Sequence, residues 1–111
     1  MNTTPLEKQD QLEEIKSAQG YSVIFKHNTT CPISKNRRAN FEKNVELLPQ
    51  GTAIYFLDLL SYREISDAIA TSFDVKHESP QLLLIKDGAC TFHQSLYDIS
   101  AEDTAGAIRS N

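Results

Sequence analysis

The segment Tyr21–Ser34, with the sequence YSVIFKHNTTCPIS, joins a short apolar run to a cysteine and a proline. The run Tyr21–Phe25 is rich in residues that favour extended structure, and it predicts a buried β-strand. Pro32 suits the first position of a helix, and no further proline or glycine occurs before Pro49. The segment therefore predicts a strand that delivers Cys31 to the N-terminus of a helix.

The position predicted for Cys31 favours the thiolate, which is the reactive form of a cysteine. The first turn of a helix carries unpaired backbone N–H groups, and the helix dipole adds roughly half a positive charge beside them. Lys26 and His27 are predicted to strengthen that positive field, and Thr29 and Thr30 are predicted to cap the helix or hydrogen-bond the sulfur. Cys31 is therefore the candidate nucleophile of the chain.

Length and composition indicate one globular domain that spans residues 1–111. With 40% hydrophobic and 23% charged residues, the chain can bury a single core. Its net charge of −4 argues against a nucleic-acid partner, which usually requires a basic surface. No cluster of histidine, cysteine or carboxylate residues has the spacing of zinc ligands, and no glycine-rich phosphate loop occurs. The sequence therefore predicts no metal and no bound cofactor.

The chain is predicted to lie in the cytoplasm and not in a membrane. Its polar first residues lack the features of an export signal. The apolar run Ala53–Leu60 is interrupted by Asp58 and is far too short to cross a bilayer. Two cysteines without an export signal indicate free thiols in a reducing compartment, not a structural disulfide.

Helical and strand patterns alternate along the chain. Residues 1–19 are predicted to hold an extra N-terminal helix, and Ser61 with Glu64 predicts the capping box of a later helix. Asp87-Gly88 is a strong signal for a two-residue hairpin turn. The predicted strands are 21–26, 52–57, 81–86 and 89–95, and further helices are predicted at 32–48 and 100–108.

A helix between the first two strands requires a parallel pair with a right-handed crossover, whereas the hairpin adds an antiparallel pair. These elements predict an α/β fold in three layers, with a four-stranded mixed sheet and helices on both faces. That arrangement is the thioredoxin-like architecture, preceded here by one additional helix.

Two motifs of the chain resemble those of the YtxJ-like monothiol bacilliredoxin family. They are Lys26–Ser34, KHNTTCPIS, and Lys76–Gln81, KHESPQ, and the similarity extends over nearly the whole chain. The resemblance implies a thiol–disulfide oxidoreductase of the thioredoxin superfamily that removes bacillithiol from mixed disulfides on client proteins. Its partners would be S-thiolated proteins, and bacillithiol or a similar low-molecular-weight thiol would be the co-substrate.

The resemblance also implies roles for individual residues. Cys31 would be the attacking thiolate, and Pro80 would be the cis-proline of a substrate groove. The expected groove residues are His77, Ser79, Pro80 and Ser95. In the family a histidine stands shortly before an Asp-Ile pair near the C-terminus, where this chain has Leu96. Pairing outward from the hairpin turn predicts that Leu96 lies at the cysteine end of the sheet, whereas His93 lies further inside the strand.

Ser34 stands where a dithiol oxidoreductase has its second cysteine. Because a hydroxyl cannot form a disulfide, a mixed disulfide on Cys31 is expected to persist until an outside thiol attacks it. Cys90 is expected at the turn end of the hairpin, on the order of 15 Å from Cys31 and beyond the reach of a disulfide. Cys90 is therefore predicted to be a structural thiol.

Two alternatives to the bacillithiol reaction stay open from the sequence. One is a glutaredoxin-like exchange with another low-molecular-weight thiol, and the other is a non-catalytic adaptor or redox sensor that traps oxidised partners. His27 and His77 have a structural alternative as surface histidines, although a histidine can also tune a neighbouring thiol near neutral pH. Lys35, Arg37 and Arg38 form either a solvated helix face or an attractive surface for an acidic thiol. The sequence predicts no oligomeric state.

Overall fold

A computed structural model describes residues 3–110 of the chain. The strands are β1 (Thr3–Pro5), β2 (Tyr21–His27), β3 (Ala53–Asp58), β4 (Gln81–Lys86) and β5 (Ala89–Ser95). The α-helices are α1 (Gln9–Ser17), α2 (Pro32–Lys43), α3 (Arg63–Phe73) and α4 (Ala101–Ser110), and single 3₁₀ turns cover Val45–Leu47 and Leu96–Asp98. None of the helices within residues 3–110 is both long and apolar enough to cross a membrane.

The strands form one mixed sheet in the order β1-β3-β2-β4-β5. Strands β1, β3 and β2 are parallel, whereas β4 is antiparallel to β2 and β5 is antiparallel to β4. The predicted α/β fold with a mixed sheet and helices on both faces is confirmed, but the predicted strand count of four is wrong. The fifth strand is the three-residue β1, which the prediction had included in the N-terminal helical region.

Two apolar clusters lie on the two faces of this sheet. Helices α1 and α3 cover one face, and α2 and α4 cover the other. Successive residues of a strand point to opposite faces, so Ile24 packs in the first cluster and Phe25 packs in the second. The rings of Phe25, Phe41 and Phe56 have centroids 5.6–6.3 Å apart, a range typical of favourable aromatic pairs.

Three predicted element boundaries need correction. The helix expected to run continuously to Leu48 ends at Lys43, where the Asn44 side chain donates to the Asn40 carbonyl oxygen, and a 3₁₀ turn follows. The predicted capping box at Ser61 is absent, because Tyr62 is the N-cap of α3 and the Ser61 hydroxyl donates to Asp58. The first helix begins at Gln9, so the expected N-terminal helix is shorter than residues 1–19.

The hairpin prediction is confirmed. Asp87 and Gly88 both have positive φ angles, of 50° and 85°, and they connect β4 to β5. A side chain at Gly88 would collide with the backbone carbonyl of Lys16, so the turn also packs closely against the end of α1. Ser100 caps α4, because its hydroxyl oxygen accepts the Asp103 N–H at 3.0 Å.

Candidate active site

Cys31 is the N-cap residue of α2, and Pro32 is the first residue of that helix. The Cys31 N–H donates to the Asn28 carbonyl oxygen at 3.1 Å, and the Cys31 carbonyl oxygen accepts the Lys35 N–H at 3.0 Å. The cysteine is partly exposed and its thiol is free. The predicted placement of this thiol at the end of a strand and the head of a helix is therefore observed.

Ser34 fixes the short loop between β2 and α2. Its side chain is fully buried, and its Oγ accepts the backbone N–H of Asn28 at 2.9 Å. The same Oγ lies 2.7 Å from Nδ1 of His27. Because Oγ already accepts the Asn28 N–H, we assign the Ser34 hydroxyl as the donor to Nδ1. The residue in the second-cysteine position thus links the end of β2 to the first turn of α2.

His27 does not strengthen the positive field beside Cys31. The side chain is 7% exposed. Burial lowers its pKa, as does the nearby Arg38, and these effects oppose the raising effects of Asp58 and Glu42. The imidazole is therefore neutral at neutral pH, which is the form that accepts the Ser34 hydroxyl. Its position in the structure also excludes the alternative of a surface histidine.

Thr30 contacts the loop and not the sulfur. Its hydroxyl donates to Asn28 Oδ1 at 2.8 Å, and its backbone N–H donates to the same oxygen at 3.0 Å. The α2 N-terminus has no side-chain cap hydrogen bond from Cys31. The expectation that Thr30 would cap the helix or hydrogen-bond the sulfur is thus corrected. Asn28, which organises this turn, was missed, although Asn followed two residues later by Thr is a typical side-chain turn signal.

Lys26 lies on the opposite face of the sheet from His27. The side chain is 0% exposed, and its Nζ donates to the backbone carbonyl oxygen of Ser66 in α3 at 3.1 Å. Burial lowers the pKa of Lys26 to about 8, although Asp67 acts in the opposite direction. The ammonium is therefore mostly charged at neutral pH, but it lies among residues of the α3 layer instead of beside solvent.

His77 is the second partner of Lys26, with its Nδ1 3.2 Å from Nζ. It is half-buried and belongs to the segment that precedes β4. Burial lowers its pKa, and the positive charges of Lys26 and Arg63 lower it further. A neutral His77 accepts a hydrogen bond from the ammonium at Nδ1. Sequence reasoning placed both residues near the site but did not pair them.

Pro80 is buried directly before β4, and the Ser79–Pro80 peptide bond is cis. Strand register aligns Lys26 with Gln81, so Pro80 and the loop after His27 lie at the same edge of the sheet. Cys31 follows that loop. The structure therefore brings the two motifs of the sequence to one edge, as the resemblance implies.

The segment after β5 completes this edge. Ser95 pairs with Gln81 in register, its hydroxyl donates to Glu78 at 2.8 Å, and the Leu96 N–H donates to the Pro80 carbonyl oxygen at 3.0 Å. Leu96 has a φ of 56° and is 41% exposed. An open cleft of about 580 Å³ adjoins these residues. Its lining includes Glu78, Ser95, Leu96, Tyr97, Asp98 and Asp103.

Cys90 has a different environment from Cys31. It pairs with Ile85 beside the hairpin turn, at the other end of β4 from Pro80. Its Sγ donates to the Phe92 carbonyl oxygen, and burial raises the pKa of the thiol. These contacts agree with the predicted structural role. Within residues 3–110, no group of three or more histidine, cysteine or carboxylate side chains could hold a metal ion.

Solved structures of similar fold cover nearly the whole chain. One, described as having a thioredoxin fold and proposed to be an oxidoreductase, is 32% identical, with a TM-score of 0.84 over 96% of this chain and 93% of that chain. A mutant thioredoxin from Halobacterium salinarum has 16% identity and a TM-score of 0.74 over 98% and 89% of the two chains. Thioredoxin from Trypanosoma brucei brucei has 15% identity and a TM-score of 0.78 over 97% and 88%. The two thioredoxins share the fold.

Fold and cysteine position together define a thiol–disulfide oxidoreductase of the thioredoxin fold. Within that class, the family described as Monothiol bacilliredoxin BrxC has a model that matches residues 4–104. The chain belongs to the monothiol bacilliredoxin family. The resemblance predicted from the two sequence motifs is thereby confirmed.

Proposed function

We propose that this protein removes bacillithiol from mixed disulfides on client proteins, with Cys31 as the only cysteine that reacts. The observation that carries the proposal is the partly exposed thiol of Cys31 at the N-terminus of α2, with a hydroxyl in place of a second thiol at Ser34. Membership of the monothiol bacilliredoxin family supports the choice of small thiol. We assign the activity to the cytoplasm, where a free thiol is kept reduced.

The proposed reaction has two exchange steps. In the first, the Cys31 thiolate attacks the bacillithiol sulfur of the mixed disulfide. The bond between that sulfur and the client sulfur breaks, a bond between Cys31 and bacillithiol forms, and the client leaves as a thiolate that takes a proton from water. Cys31 attacks as the thiolate, which is the reactive form of a cysteine, from its position at the N-terminus of α2.

In the second step, an outside bacillithiol thiolate attacks the sulfur of bacillithiol on Cys31. The products are bacillithiol disulfide and the free Cys31 thiolate. The client cysteine has therefore been reduced and the outside bacillithiol has been oxidised, whereas the bacillithiol taken from the client stays part of a disulfide throughout. Ser34 cannot perform this step because its hydroxyl cannot form a disulfide. The Cys31 adduct therefore persists whenever the outside thiol is scarce.

The proposed client groove runs past Pro80 toward the cleft beside Ser95 and Leu96. His77 and Ser79 precede Pro80 in this loop, and Ser95 connects the loop to the end of β5. Leu96 and Tyr97, which is 69% exposed, offer apolar contact area to a client segment. Leu96 stands where the family has a histidine, and that difference favours testing a second small thiol beside bacillithiol.

The test uses a single-cysteine client protein in two forms, one carrying bacillithiol and the other carrying glutathione. Mass spectrometry measures release of each small thiol and identifies the cysteine that becomes modified. We expect bacillithiol release with an adduct on Cys31, no release by Cys31→Ser, and wild-type release by Cys90→Ser.

Each other outcome rejects part of the proposal. Faster release of glutathione would favour the glutaredoxin-like alternative. No release of either thiol, together with slow alkylation of Cys31 at neutral pH, would favour the non-catalytic adaptor. Undiminished release by Cys31→Ser would reject Cys31 as the nucleophile.

A further inference from the structure

The loop that carries Ser79 and Pro80 is held by hydrogen bonds from several strands. The Gln81 side chain in β4 donates to the Lys76 carbonyl oxygen at 2.9 Å. Ser95 in β5 donates to Glu78, and the Leu96 N–H donates to Pro80 itself. These contacts come from the β4–β5 side of the loop.

Strand β2 supplies a contact of a different kind. Nζ of Lys26 lies 3.2 Å from Nδ1 of His77, which stands three residues before Pro80. Lys26 is the sixth residue of the strand that leads into the Cys31 loop. The Lys26–His77 contact therefore connects the strand that presents the cysteine with the loop that presents the proline.

Burial of the Lys26 ammonium has a cost that packing does not explain. Its neighbour on the same face of β2, Ile24, is apolar and fully buried. An apolar side chain of similar length would fill the position of Lys26 without the desolvation of a charge. The charged group adds two hydrogen bonds, one to the Ser66 carbonyl oxygen and one to His77. The hydrogen bond to Ser66 reaches α3, which already packs on the sheet. The hydrogen bond to His77 is therefore the one that has a role at the site.

We propose that Lys26 is a positioning residue, which acts through His77 to hold the Ser79–Pro80 loop in the geometry that exchange at Cys31 requires. This inference rests on the proposed function, because it concerns the same reaction. Thiol–disulfide exchange needs the client sulfur in line with the attacking thiolate, and Pro80 lies at the edge of the sheet where the client must bind. A displacement of about 1 Å at such a site can reduce a rate about a hundredfold.

The charges around the pair give the contact a pH dependence. Arg63 and Asp67 of α3 and Glu78 of the loop act on His77, and Asp67 also acts on Lys26. At neutral pH the ammonium is charged and the imidazole is neutral, so the hydrogen bond is charge-assisted. Protonation of His77 in acid creates two adjacent cations, whereas deprotonation of Lys26 near pH 8 weakens the donor. The proposal therefore predicts that client turnover is highest above the pH at which His77 becomes protonated and below about pH 8, where Lys26 loses its proton.

The experiment measures kcat and KM for release of bacillithiol from the client protein by four variants. Lys26→Met removes the ammonium donor and leaves the Ser66 hydroxyl 3.4 Å from Nδ1 of His77, and His77→Phe removes the acceptor while keeping a ring. His77→Asn restores an acceptor near the position of Nδ1. Lys76→Met is the matched control, because Lys76 is an exposed lysine of the same loop. Circular dichroism and iodoacetamide alkylation of Cys31 are recorded for every variant.

We expect Lys26→Met and His77→Phe to lower kcat/KM about tenfold or more, with Cys31 alkylation unchanged. His77→Asn recovers most of the activity, and Lys76→Met equals wild type. In Lys26→Met, the NMR titration of His77 moves to higher pH because a neighbouring positive charge is gone. His77→Phe carries the test if Lys26→Met does not fold.

Wild-type kcat/KM in both Lys26→Met and His77→Phe would overturn the inference while leaving the proposed function intact. A parallel loss of Cys31 alkylation would also overturn it, because the effect would then not be confined to client positioning. A wild-type protein that releases no thiol from the client would reject the proposed function and this inference together.

Discussion

Lys26 and His27 are neighbours in the sequence, but they lie on opposite faces of the sheet and hold different loops. His27 contacts Ser34, seven residues away, and so holds the loop that presents Cys31. Lys26 contacts His77, 51 residues away, and so holds the loop that contains Pro80. Because side chains alternate along a strand, two consecutive residues at the end of β2 can fix both sides of the site.

The two pairs also differ in charge. The His27–Ser34 pair is neutral, since burial lowers the pKa of the imidazole. The Lys26–His77 pair keeps an ammonium, with its pKa lowered to about 8. The Cys31 loop is therefore expected to keep its structure through the neutral pH range, whereas the position of the Pro80 loop is expected to change with pH.

Ser34→Cys changes the neutral pair most. Cys31 is the N-cap of α2 and residue 34 lies in its first turn, which is the spacing at which a dithiol oxidoreductase has its two cysteines, so we expect a cysteine at 34 to reach Cys31. We expect the mixed disulfide on Cys31 to be resolved within the chain, so that the persistent bacillithiol adduct is replaced by an intramolecular disulfide. Mass spectrometry after alkylation, with and without reductant, measures both species.

The control for that experiment is the double variant Cys31→Ser with Ser34→Cys, which cannot form the internal bond. Persistence of the adduct in the single variant would contradict the expected reach of residue 34.

Ser34→Ala breaks the neutral pair without adding a thiol. It leaves the Asn28 N–H and Nδ1 of the buried His27 without their partner, and each such loss costs about 1–3 kcal/mol. Because Asn28 is only partly buried, its loss lies at the low end of that range, and we expect the free energy of unfolding to fall by about 2–4 kcal/mol, measured by urea denaturation.

Ser17→Ala is the matched control, because the Ser17 hydroxyl donates to a backbone carbonyl at an exposed position. A loss for Ser34→Ala no larger than for Ser17→Ala would mean that the buried hydroxyl does not hold the Cys31 loop.

The position of Cys31 at the N-terminus of α2 could be predicted from the sequence, whereas the two side-chain pairs could not. The strand, Cys31 and Pro32 follow from local patterns, and so does the hairpin at Asp87-Gly88. A lysine at a strand end predicts exposure, because lysine is rarely buried without a partner. The partner of Lys26 is His77, and no local pattern connects two residues so far apart.

Strand β1 was missed for a similar reason. Its three residues, Thr3–Pro5, are exposed and lack an apolar alternation, and they are extended only because they pair with β3. The charge state of His27 was also not predictable, since it depends on burial beneath α2. Local propensity therefore predicted the elements, while long-range pairing decided the electrostatics of the site.

Lys26 gives the charged pair a measurable effect on stability that is smaller than the loss expected for Ser34→Ala. Its folded-state pKa of about 8 lies below the ordinary value of 10.5, so between these values the unfolded chain binds more protons than the folded one. The contribution of Lys26 to the free energy of unfolding therefore rises with pH, by about 2 kcal/mol between about pH 7.5 and pH 9.5.

The measurement is urea unfolding of wild type and Lys26→Met at both pH values. Other titrating groups, including Cys90 with its raised pKa, are common to the two proteins and cancel in the difference. We expect the free energy of unfolding to increase more with pH in wild type than in Lys26→Met. An equal pH response in the two proteins would mean that the ammonium is solvated and does not form the buried contact with His77. Lys26 and His27 would then differ only in the loop that each contacts, and not in their response to pH.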